Sequence, residues 1–182
     1  MRLSPITLAG ANALVLLAAA CAREPSSQRA ATPPASDSAF AALQARGADP
    51  RAMGVDQYTS VHRFDALPDG GRIELQRAVE DSAGIAQIRN HLRTIASAFA
   101  SGDFTTPAFV HLRQVPGTEV MAAKRSAITY TVRDLPRGAE LRITTRDADA
   151  LSAVHAFLAF QRGDHHAGGL VDDGDAHDRM AH

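Results

Sequence analysis

The sequence predicts an α+β domain: two ββα repeats forming a four-stranded antiparallel sheet with two helices on one face. Three observations predict it. Two stretches alternate polar and apolar residues in pairs, Val61–Phe64 with Arg72–Leu75 and Ala127–Arg133 with Leu141–Ile143. Each pair is followed by a run with apolar residues on one helical stripe and an acidic cap in front. The turn Leu67-Pro68-Asp69-Gly70 lines up with Leu135-Pro136-Arg137-Gly138, and hairpin and helix follow each at nearly the same spacing, the signature of an internal duplication.

The first element is a targeting segment. Residues 1–20 carry Arg2, a short apolar run from Ile6 to Ala20, and small residues just before Cys21. The run is too short for a comfortable membrane span and reads as a signal peptide. Its end resembles the lipobox of bacterial lipoproteins, with Ala18 at the position where leucine is usual. That resemblance implies cleavage before Cys21, lipid on Cys21, and an envelope location: the periplasmic side of the outer membrane in a host with two membranes, since Ala22 and not Asp follows. Cys21 is the one cysteine among 182 residues, so no internal disulfide and no cysteine chemistry remains for the folded part.

Residues 21–52 read as a lipid-anchored flexible tether rich in Ser, Pro and Ala, which cannot bury enough surface to offset chain entropy. Within it, 38–46 has the composition of a short helix ended by Gly47. The folded domain is expected over 53–166. Pro68-Asp69-Gly70-Gly71 is strong turn chemistry between its first two strands. Asp81 or Ser82 caps a helix whose stripe is Ile85, Ile88, Leu92, Ile95 and Phe99, stopped at Gly102. Arg89 and His91 sit on its two shoulders. The segment 104–124 is irregular, with strands at 109–115 and 119–123 or a covering loop as the expectation. In the second half, Ile128, Tyr130 and Val132 share a face. Asp147 or Asp149 caps a helix with the stripe Leu151, Val154 and Leu158, ended by Gly163. Phe157 and Phe160 lie off that stripe, and Phe160 is expected to pack beneath the tail or the 104–124 segment. Aligning the halves matches His62 to Tyr130, which turns His62 toward the core, and matches Arg89 to His155 within a two-residue shift. Residues 167–182 read as a disordered His/Asp-rich tail.

The block Gly70-Gly71-Arg72-Ile73-Glu74-Leu75-Gln76-Arg77, with Gly102-Asp103-Phe104, Val115-Pro116-Gly117-Thr118, Leu135-Pro136-Arg137-Gly138 and the run from His155 through Phe157-Leu158 to Phe160-Gln161-Arg162, resembles a family of bacterial exported proteins of uncharacterised function. Such sequences sometimes carry an aspartate carbamoyltransferase label. The carbamoyl-phosphate loop of those enzymes has no counterpart here, Thr144-Thr145-Arg146 being the nearest approach, so the label is unsupported.

Composition narrows the function. Net charge is −1 with both signs interspersed, so no basic stripe argues for nucleic acid, and no tryptophan offers a stacking platform. Ser126 and Ser152 lack an elbow motif, and no acid–base pair stands out by spacing, so the reading leans away from catalysis and assigns no catalytic residue. The leading expectation is a non-catalytic binding or interaction module at the envelope. Its binding face would be the sheet face bearing Arg72, Glu74 and Arg142, which alternate with core positions. Besides the membrane reached through the lipid, its partner would be a protein or a second copy of the chain. The alternative is copper or zinc binding, because imidazole suits both ions. The ligands would be His155, His165 and His166, joined by His91 or His62, with His177 and His182 in the tail. No HExxH spacing is present. An enzyme of unspecified class is the third reading.

Overall fold

The computed structural model describes residues 35–168. The signal-peptide, Cys21 and tail-histidine assignments, His177 and His182 included, lie outside them. The order of elements is α1 (Ala35–Gly47), β1 (Ser60–Leu67), β2 (Gly70–Arg77), α2 (Ser82–Ser101), α3 (Thr105–His111), α4 (Thr118–Ala123), β3 (Ile128–Leu135), β4 (Gly138–Thr145) and α5 (Ala148–Asp164).

The four strands form one antiparallel sheet in the order β1-β2-β4-β3, so the protein is an α+β fold. The two hairpins have the same register: Leu67 faces Gly70 across one turn, and Leu135 faces Gly138 across the other. At the centre of the sheet Ile73 pairs with Leu141. Period-two alternation puts Phe64, Ile73, Leu75, Ile128, Leu141 and Ile143 on one face, where both long helices cover them.

Helix α2 begins where Asp81 accepts from the Gly84 amide, and ends where Gly102 takes a left-handed conformation at φ 85°. Its buried face contains all five residues of the sequence stripe. Asp147 caps α5 by accepting from the Ala150 amide, and Lys124 bonds the same carboxylate. The end of α5 differs from expectation. The helix passes through Gly163 to Asp164, and Gly163 does not take a left-handed conformation. Its buried face is also rotated: Leu151 is only half-buried, whereas Ala153, Val154, Phe157, Leu158 and Gln161 are buried. Phe157 is thus central to the core, meeting Phe99 edge-on at 5.7 Å between ring centres. Phe160 packs beneath the 104–124 segment, against His111 at 4.9 Å.

That segment is helical, which corrects the strand and loop expectations for it. Helices of seven and six residues are too short to show a 3.6-residue period, and their Thr and Val content imitates strand composition. Pro107 sits in the first turn of α3, where its missing N–H costs nothing. Leu112 closes α3 in the left-handed region at φ 51°.

The folded part also starts earlier than Met53. Helix α1 is docked rather than part of a free tether. Leu43, Ala52 and Val110 are buried together with Phe109 against them, and Arg46 Nε donates to Val110 O at 2.6 Å. At the other end, Gly168 pairs alongside β1, accepting from the Phe64 amide at 3.0 Å. No helix among the described residues is long and apolar enough to cross a membrane.

Candidate functional site: a histidine-lined cavity

Between β1, β2, α2 and α5 lies a cavity whose floor is Phe64, Ile73, Leu75 and Phe157. It is flanked by α3 and by the loop after α1, through Ala52 and Met53. Its volume is about 90 Å³, against roughly 10–15 Å³ needed by one water. The walls are mostly apolar, yet four histidines line them: His62 from β1, His91 from α2, His111 from α3 and His165 just past α5.

Each ring is held differently. Phe64 and the strand alternation turn His62 inward, where it is 8% exposed. Its Nε2 is buried with no hydrogen-bond partner. A polar atom in that condition costs about 1–3 kcal/mol. Burial pushes the His62 imidazole down to about 4, with the neighbouring His91 adding to the effect. The protein packed around His91 pushes it down to about 4 as well, while the Ala52 carbonyl opposes the shift.

Gln57 orients His165. Its side-chain amide donates to the His165 carbonyl at 2.8 Å, which turns its own oxygen toward the ring. That oxygen lies 2.7 Å from His165 Nδ1, so Nδ1 carries the proton and Nε2 bears the lone pair. Burial, then His111, His62 and His166, hold this imidazole down to about 3. It is therefore neutral across the physiological range. The fourth ring, His111, is engaged at both nitrogens: Nδ1 lies 2.5 Å from Asp164 Oδ2, and Nε2 lies 2.9 Å from the Gln161 amide. The ring centres of His62 and His165 are 5.9 Å apart, and those of His111 and His165 5.0 Å.

The structure thus brings together His62, His91 and His165 of the expected ligand set and adds His111. It separates the other two. His155 Nε2 donates to Leu67 O at 3.0 Å and Gly70 O at 3.1 Å, which commits it to the first hairpin turn. His166 stacks on Phe40 of α1 at 4.3 Å. A ligand group of His155, His165 and His166 is not formed. Among the described residues, no cluster of three or more His, Cys, Asp or Glu converges tightly enough to enclose an ion.

Met53, Gln57, His111 and Gln161 complete the site and were not singled out from the sequence. His111 was visible only as one more histidine, because the helix that aims it inward has no period of its own. The charged set on the opposite sheet face is bonded among itself. Arg72 bonds Asp65, Arg142 bonds Asp69 and the carbonyls of Gly71 and Ile143, and Gln76 donates to Glu74.

No protein-family model, no curated protein and no solved structure matches this chain.

Proposed function

We propose that the protein is a non-catalytic binding module whose ligand seat is the histidine-lined cavity. One observation carries the reading: His62 Nε2 is buried without a partner in the wall of a mostly apolar cavity. An apolar pocket with a few fixed polar atoms is the usual form of a small-ligand site. An isoleucine or leucine would fill the place of His62 without the cost of an unmade hydrogen bond, so the ring is explained by something that bonds to it. The sheet face with Arg72, Glu74 and Arg142 is the weaker candidate for a docking surface, because its charged groups already have partners within the fold.

Phenol and benzene test the seat. Phenol adds one hydroxyl to the same ring, and that hydroxyl can meet His62 Nε2. Phenol is expected to shift the ring NMR signals of His62 and His165 and to raise the melting temperature more than benzene does. If neither molecule moves those signals, the cavity is not a seat for a small aromatic ligand.

The rest of the reading places the module at the bacterial envelope, held by lipid on Cys21, with the two hairpin–helix halves as copies of one ββα unit. The equal registers of the hairpins support the duplication. Cys21→Ala is expected to leave the protein unacylated and in the soluble fraction. Retention in membranes with unchanged gel mobility counts against the anchor.

A further inference from the structure

We infer that the cavity seats a single monovalent copper ion, bound through His62 Nε2 and His165 Nε2, with Met53 of the cavity lining as the candidate third donor. The inference rests on the cavity being the binding site and names its ligand.

Two imidazole nitrogens are available there, and the reasons are geometric. His165 is fixed from behind by two hydrogen bonds to Gln57, which leave Nε2 as the bare nitrogen. Metal-binding histidines are commonly oriented in this way, the far ring N–H given to an oxygen acceptor. His62 Nε2 is buried and unbonded. The separation of the two rings fits one shared ion. A metal–nitrogen bond of about 2.0–2.1 Å, plus about 1.1 Å from nitrogen to ring centre, places two ligating rings up to roughly 6 Å apart. The observed separation is 5.9 Å.

The donor set selects the ion. Tetrahedral zinc needs four donors, or three and a water. Both His111 nitrogens are engaged, by Asp164 and Gln161, and no third His, Cys, Asp or Glu converges with the pair among the described residues. Two imidazoles and a thioether instead suit a soft ion content with two or three ligands. Monovalent copper is that ion, and thioether sulfur favours it. Met53 lines the same cavity and is 7% exposed. The walls agree: Phe64, Leu75, Ile95 and Phe99 provide no counter-charge, and a single positive charge is less costly to bury than a double one.

The test is an anaerobic titration of the full chain with copper kept reduced by ascorbate, in competition with a chromogenic copper(I) chelator. The wild type is expected to withdraw one copper per chain. His62→Leu should weaken that affinity at least about tenfold without lowering the melting temperature, since the substitution removes an unbonded buried nitrogen. Met53→Leu should weaken it by a smaller factor, and His155→Gln should leave it unchanged. Full copper uptake by His62→Leu overturns the assignment. So does zinc uptake at equal stoichiometry with the same dependence on His62. A wild type that takes no copper, yet whose ring signals still respond to phenol, removes copper and keeps the cavity. A wild type that responds to neither removes both.

Discussion

Arg89 and His155 each hold the hairpin turn of the other half of the sheet. Arg89, on the helix after the first hairpin, donates to Gly138 O at 3.0 Å and Leu135 O at 2.7 Å. His155, on the helix after the second, donates to Leu67 O and Gly70 O. The accepting carbonyls occupy equivalent places in the two hairpins, and the turns lie at opposite ends of the sheet. Each helix packs mainly over the other hairpin, so the two halves cross-brace one another. Arg89→Ala and His155→Ala should each cost about 1–3 kcal/mol, because each strips donors from partly buried carbonyls. The two sites share no partner, so the double variant should equal the sum within about 0.5 kcal/mol. Urea unfolding of the four proteins measures this, and a loss below a few tenths in either single variant would show that water replaces the clamp.

A second matched pair is Gly70 and Gly138, the first residues of β2 and β4. A Cβ on Gly70 would lie 2.1 Å from Ile143 O, and one on Gly138 would lie 2.0 Å from Leu75 O. In both cases the obstacle is the backbone of the neighbouring central strand, which cannot yield as a side chain would. Gly138→Ala should cost at least about 3 kcal/mol. Gly163→Ala is the contrast: nothing lies within 4 Å of its Cβ position and it sits in α5, so it should stabilise by roughly 0.4–1 kcal/mol. Similar melting temperatures for the two variants would refute the close-approach argument.

The sheet and its two long helices were legible in the sequence because long periodic elements announce themselves. Ile85 to Phe99 needs only its spacing, and Asp81 and Gly102 bracket it. The inward turn of His62 followed from strand alternation and its match to Tyr130. The cavity was not legible. Its walls come from β1, α2, α3, α5 and the loop after α1, and no local pattern records that His111 and His165 meet. Gln57, which sets the tautomer of His165, lies far from it in the chain. His155 and His166 misled for the same reason: proximity to His165 in sequence placed them in one group, whereas the turn after α5 sends the three rings to three different partners.

Tyr130 is the counterpart of His62 in the second hairpin, facing Ile143 as His62 faces Leu75. Its hydroxyl is likewise buried without a partner, and burial raises its pKa. Tyr130→Phe should be neutral or stabilising by up to about 1 kcal/mol, since it removes a polar atom that gains nothing in the fold. A loss above about 1 kcal/mol would mean that the hydroxyl bonds to a water or ligand in solution.

Acid should destabilise the protein well before carboxylates titrate in number. His62 and His91 are held near 4 and His165 near 3, all below the ordinary histidine value of 6.5. A base whose folded pKa is depressed is bound by more protons in the unfolded state, so stability rises with pH through this window. The contribution is complete above 6.5. It is lost progressively as pH falls from 6.5 toward the folded values of about 4 and 3. Between neutral pH and pH near 5, each ring should account for about 2 kcal/mol, from the roughly 1.4 kcal/mol per unit that one differential proton carries. Urea unfolding along that range should show the decline, and His91→Gln should reduce its slope by about a third. Should wild-type stability stay flat from neutral pH to pH near 5, the three rings do not remain neutral in the fold.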